Sequence, residues 1–247
     1  MHQKFAKYQV ENFFYNVGFL MSHLVFPGSY RFYIFQKKIY NWVMRRESHI
    51  PDEVDFSHIA FCIEGFRHSG NTFLATNILS PKREQILTHH HRYWVINRSL
   101  KEKKMTFVLI RNAAEVVRST AFRAKVDQYG VGVRPYRITM HICWILYYAS
   151  VLRKIDKIHI LDFKEIKNDY GGVRLSISEK SGAVLREVPD FSFSNRFDGP
   201  KFEFRSGIII RILERISDGL YVRIIDRAQN LKSRIPVRLF PGPAAEG

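Results

Sequence analysis

The stretch Ile59-Ala60-Phe61-Cys62-Ile63-Glu64-Gly65-Phe66-Arg67-His68-Ser69-Gly70-Asn71-Thr72 decides the reading of the fold. His58 to Glu64 is a short, mostly apolar run with the length of a buried strand. A loop with two glycines follows, and a helix is expected after it, to about Leu79. At a helix N-terminus the first backbone N–H groups lack intrahelical partners, and the helix dipole adds to their attraction for an anion. Gly65 and Gly70 allow a tight turn and a close backbone approach. Ser69 and Thr72 add hydroxyl donors, and Arg67 adds a fixed charge that can grip phosphate oxygens in pairs. The nucleotide-triphosphatase loop G-x-x-x-x-G-K-[ST] is a different device, because it needs a Lys for the terminal phosphates. Here Gly70 is followed by Asn71, and the loop holds no Lys. Taken alone, a generic strand–turn–helix corner accounts for the segment equally well.

Working outward, Gln85 to Thr88 reads as a brief strand ending at the triplet His89-His90-His91. Met105 to Ile110 is a strongly apolar strand ending at Arg111. Helices are expected over Ala113–Lys125 and Arg137–Lys154, with a further strand over Lys157–Asp162. Strands alternating with helices predict an α/β domain, a parallel sheet flanked by crossover helices. Tyr170 to Ser206 gives no clear pattern, and Ile208 to about Leu231 reads as an amphipathic basic helix. The chain divides into a helical, basic-aromatic segment (1–50), an α/β domain (51–240) and a tail (241–247) expected to be disordered. Extra helices are thus expected at both ends of the core.

The net charge of +16 favours anionic partners, whether phosphorylated cofactors, acidic polysaccharide, nucleic acid or anionic lipid. The two cysteines, Cys62 and Cys143, lie in apolar runs without zinc spacing, so a disulfide framework is not expected. Phe13 to Phe26 is too short and too polar to span a bilayer, and a cytoplasmic location is expected. The aromatics from Phe5 to Trp42, set among Lys and Arg, have two readings. They form helices packed on the core, or an interfacial face that touches the inner membrane surface.

Gly65 to Leu74 resembles the 5′-phosphosulfate loop of the sulfotransferases, enzymes that use 3′-phosphoadenosine 5′-phosphosulfate (PAPS). The resemblance implies that Ser69, Gly70, Asn71 and Thr72 hold the 5′-phosphate. The family's loop Lys is replaced here by His68, with Arg67 beside it. Thr88-His89 resembles the Thr-His that carries the family's catalytic base. Phe107 to Ser119 is similar to the 3′-phosphate element, with Arg111 and Ser119 as its ligands and Asn112-Ala113 in place of the usual Asp-Pro. Leu161 to Ile166 resembles the Tyr-Glu-Asp-Leu after a later family strand. Arg205-Ser206-Gly207 resembles the final Arg-Lys-Gly segment, without the second glycine and the Trp-Lys that normally follow. These matches span about Ile59 to Gly207 and imply a P-loop-like sulfotransferase fold.

The implied chemistry is in-line transfer of a sulfuryl group from PAPS to an acceptor hydroxyl, releasing the desulfated product PAP. His89 is the expected general base. Arg67 or His68 would stabilise charge on the leaving phosphate. No metal is expected, because the histidine triplet has no Cys, Asp or Glu placed as a further ligand. The aromatic N-terminal segment and basic composition favour a glycan or glycolipid acceptor. The alternatives are a kinase or hydrolase with a degraded phosphate loop, or a basic nucleic-acid-binding module. The basic residues are spread along the chain and no nucleic-acid-binding signature occurs, so no nucleic-acid partner is expected.

Overall fold

A computed structural model of the chain describes residues 20–21, 29–44, 55–67, 69–70, 74, 86–88, 93–123, 133–183, 185 and 207–234. Four strands form one all-parallel sheet: β1 (Phe61–Gly65), β2 (Ile86–Thr88), β3 (Met105–Ile110) and β4 (His159–Asp162), in the order β2-β1-β3-β4. The helices are α1 (Tyr30–Met44), α2 (Tyr93–Lys101), α3 (Ala113–Arg123), α4 (Val133–Leu152), α5 (Phe163–Asn168), α6 (Tyr170–Ser181) and α7 (Ile208–Arg234). The chain is therefore an α/β protein with helices on both faces of a parallel sheet. That arrangement explains why the strands read as continuous apolar runs: both faces are buried.

Alternate residues of each strand feed opposite cores, as the pleat requires. Val108, Ile110 and Ile160 pack on one face against α3, α4 and α7, around the fully buried Trp144, Tyr147 and Tyr148. Phe61, Ile63, Phe107, Leu109 and Leu161 pack on the other face with Leu74 and with Phe163, Ile166, Val173 and Ile177 of α5 and α6. Cys62 and Leu87 continue the first face under Trp94 and Val95 of α2. Both cysteines are buried free thiols, and burial pushes the Cys62 thiol well up.

Three helices were not legible in the sequence. Helix α2 is one, and a buried hydroxyl pair, Ser99 to Thr106 at 2.9 Å, ties it to β3. Helix α5 is six residues long and N-capped by Asp162, whose side chain accepts from the Lys164 N–H. Helix α6 lies in the stretch that gave no pattern. Two glycines follow its first residue, and it carries three serines, poor interior helix formers. Tertiary packing of Val173 and Ile177 holds it, and Asp169 caps it through the Gly172 N–H. The long helix α4 starts at Val133, four residues before the expected Arg137. Pro135 falls in its first turn, where a missing N–H costs nothing.

Candidate functional site

The strand order places a topological switch between β1 and β3. The helical turn after β1, at Leu74, packs on one face of the sheet, and α3 after β3 packs on the other. At such a point the two connections part and leave a crevice beyond the carboxyl ends of the strands, where ligands of open α/β sheets bind. The loop at Gly65–Gly70 and the turn at Arg111–Asn112 lie at those carboxyl ends.

The β1 loop is held from below. Tyr148 of α4 donates to the Leu109 carbonyl at 2.6 Å and accepts from the Phe66 N–H at 3.3 Å. Ser69 Oγ lies 3.2 Å from the same hydroxyl. The single tyrosine proton is committed to Leu109, so Ser69 is the donor to Tyr148. Ser69 is fully buried, and its N–H closes a turn on the Phe66 carbonyl at 3.1 Å. Its hydroxyl thus faces the protein and fixes the loop rather than projecting from it. Burial raises the Tyr148 phenol, which stays neutral and able to donate.

Gly70 has φ of +103°, a region open to glycine and costly for other residues. A Cβ there would sit 2.6 Å from Cε2 of Phe163, so the ring itself excludes a side chain. The Gly70 carbonyl accepts from the Leu74 N–H at 2.9 Å, a bond of helical spacing, while the rest of the helix expected to about Leu79 lies outside the described residues. Arg67 is half-buried at the head of the loop, and Phe66 packs edge-on against Tyr147 at 5.9 Å. Glu64, one residue before Gly65 in β1, is fully buried on the central strand, an unusual position for a carboxylate.

Arg111 sits at the end of β3, 6% exposed. Its Nε–H donates to Glu115 at 2.8 Å, its guanidinium stacks 4.6 Å from the Phe163 centroid, and its carbonyl accepts from the Trp144 indole at 3.1 Å. One phenylalanine ring therefore stands against both Gly70 and Arg111, bringing together two elements 41 residues apart in sequence. Glu115 holds the guanidinium flat and offsets part of its charge. Glu115 and Ser119 follow Arg111 at spacings of four and share one face of α3, with Ser119 half-buried.

Asn112 joins two elements. Its Oδ1 accepts from the Ala114 N–H, capping α3, while its Nδ2 donates to Asp218 of α7 at 2.9 Å. An aspartate would set two carboxylates against each other here. Helix α7 is pinned further by Arg137–Glu214 at 3.2 Å and by Tyr221, whose hydroxyl lies 2.8 Å from both oxygens of Asp162. Gly207 opens α7, its carbonyl accepting from the Arg211 N–H at 3.2 Å. His141 is buried beside this helix, and neither ring nitrogen meets a hydrogen-bond partner among the described residues. Burial first, then Arg137, pushes it down to about 4, against a smaller opposing pull from Asp218.

The structure thus brings Ser69, Gly70 and Arg111 to one end of the sheet. His68, Asn71, Thr72, His89, Arg205 and Ser206 lie outside the described residues, as do His90, His91 and the tail 241–247. Thr88 is described: it ends β2, and its hydroxyl oxygen is buried without a hydrogen-bond partner among the described residues. Sequence reasoning missed Tyr148, which nothing local marks, because its partners are 39, 79 and 82 residues away. It also missed Phe163, which lies within the Leu161–Ile166 stretch and whose partners, Gly70 and Arg111, are distant in sequence. No group of three or more His, Cys, Asp or Glu able to hold a metal occurs among the described residues. No protein-family model, no curated protein and no solved structure matches the chain.

Proposed function

We propose that the chain is a sulfotransferase of P-loop-like fold, moving a sulfuryl group from PAPS to an acceptor hydroxyl in the cytoplasm. The observation that carries this reading is the meeting of the Gly70 loop and Arg111 across Phe163 at the switch point of the sheet. Two anion-binding elements at one crevice suit a donor with phosphate at both its 5′ and 3′ ends. Backbone N–H groups after Gly70 would take the 5′-phosphate, with Asn71 and Thr72 beside them. The terminal nitrogens of Arg111, with Ser119 and the Arg205–Gly207 segment, would take the 3′-phosphate. Arg67 or His68 would stabilise the leaving phosphate, and His89 would remove the acceptor proton. Fixed cations and backbone dipoles carry the charge in this scheme. A glycan or glycolipid hydroxyl is the acceptor class we favour.

The test is thermal melting with PAP, with adenosine 5′-phosphosulfate (which lacks the 3′-phosphate) and with ATP–Mg²⁺. PAP at a hundredfold excess over its dissociation constant should stabilise the fold by about 2.7 kcal/mol. Adenosine 5′-phosphosulfate should do much less. Equal stabilisation by both would remove the role given to Arg111, and a response to ATP–Mg²⁺ alone would favour a kinase or hydrolase.

A further inference from the structure

We propose that the outward face of the first half of α7 docks on an anionic lipid membrane. Ile208, Ile209, Ile212 and Ile216 are exposed by 69, 56, 51 and 49%. Ile208, Ile212 and Ile216 recur at spacings of four and stack along one side of the helix. Isoleucine is not favoured at exposed helix positions by propensity. A contiguous exposed apolar strip of this kind marks a contact surface.

The charges on the same half of the helix are sorted. Its two acids are both paired: Glu214 with Arg137 at 3.2 Å, and Asp218, though exposed, with the Asn112 amide at 2.9 Å. Arg211 and Arg215 stay exposed beside the isoleucines. The face is therefore apolar and cationic at once, on a chain of net charge +16. That combination selects the occupant. A second copy of the chain would set Arg211 and Arg215 against their own equivalents. A nucleic acid would engage the arginines and leave the isoleucines in water. A lipid surface takes both, with apolar side chains at the headgroup–acyl boundary and arginines on lipid phosphates. No helix among the described residues is long and apolar enough to cross a membrane, so the contact is peripheral.

Helix α1 shows the same composition independently. Phe35, Ile39 and Trp42 are exposed by 57, 37 and 82%, beside exposed Arg31 and Lys38. The reading of α7 rests neither on α1 nor on the sulfotransferase assignment.

The experiment is co-sedimentation of the full chain with phosphatidylcholine vesicles and with phosphatidylcholine–phosphatidylserine vesicles, at low and high salt. The wild type should sediment with the mixed vesicles and release in high salt. Ile212→Ser combined with Ile216→Ser should melt as the wild type does, both positions being exposed, and should bind mixed vesicles about tenfold or more weakly. Arg211→Glu with Arg215→Glu, a second route should the serine pair fold poorly, should lose the preference for phosphatidylserine. Unchanged binding by either folded pair overturns the proposal. So does a wild-type dimer in sedimentation equilibrium that the serine pair dissolves, or oligonucleotide binding that only the arginine pair loses.

Discussion

Gly70→Ala tests the centre of the site, because two independent costs fall on one methyl group. The backbone at φ +103° is strained for any residue with a Cβ, which costs about 1–3 kcal/mol. The methyl would also meet Phe163 Cε2 at 2.6 Å and Cδ2 at 2.8 Å. Phe163 is 1% exposed and cannot swing away without disturbing Arg111, stacked 4.6 Å from its centroid. Overpacking of this kind costs a further ~1–3 kcal/mol. Together the two predict a loss of about 2–6 kcal/mol, or a fall in melting temperature of about 4–24 °C for a chain of this size. The assay is thermal and urea unfolding of a double-mutant cycle with Phe163→Ala. Removing the ring costs about 3–5 kcal/mol by itself. In that background, however, Gly70→Ala should retain only its backbone cost, giving a coupling of about 1–3 kcal/mol. Additive single effects would show that Gly70 and Phe163 are not in contact. Gly70→Ala melting within about 1 °C of wild type would refute both halves of the reasoning.

Tyr148→Phe removes one hydroxyl and with it one hydrogen bond each from the Leu109 carbonyl, the Phe66 N–H and Ser69 Oγ, all buried. A loss of at least about 2 kcal/mol in urea unfolding is expected, with PAP affinity falling in parallel; a change below about 0.5 kcal/mol would sink the role assigned to it. His141 gives a pH test: with its folded value at about 4 and an ordinary one near 6.5, the unfolded chain binds the extra proton between them. Stability due to this group is therefore full above about pH 6.5 and lost as pH falls toward 4, by up to about 3 kcal/mol. The charges concerned are Arg137 and Asp218, and His159, also held down to about 4 by burial, Lys180 and Lys232, adds a slope of the same sign, weakened by its partial exposure. His141→Leu should flatten part of the acid limb of a melting-temperature profile, and an unchanged limb would mean that the ring titrates normally.

The parallel α/β architecture was written in local pattern. Phe61–Gly65 and Met105–Ile110 are apolar runs because strands buried on both faces need no alternation, and the sequence marks their ends with Gly65 and Arg111. The special backbone at Gly70 was also legible, since only glycine takes that conformation cheaply. Helix α6 was not, because Gly171, Gly172 and its serines argue against a helix that only the packing of Val173 and Ile177 secures. Periodicity, turn chemistry and charge are properties of neighbours along the chain, and the sequence alone carries them. Contacts between distant segments are not. Tertiary structure decided that Tyr148 would clamp the loop from 79 residues away, and that Phe163 would stand between Gly70 and Arg111. It also decided that Asn112 would meet Asp218 across 106 residues, and that Ile210 and Ile224 of α7 would be buried while Ile208, Ile209, Ile212 and Ile216 stay exposed. Each depends on which faces the strand order β2-β1-β3-β4 sets together, a consequence of cooperative burial rather than of any local preference.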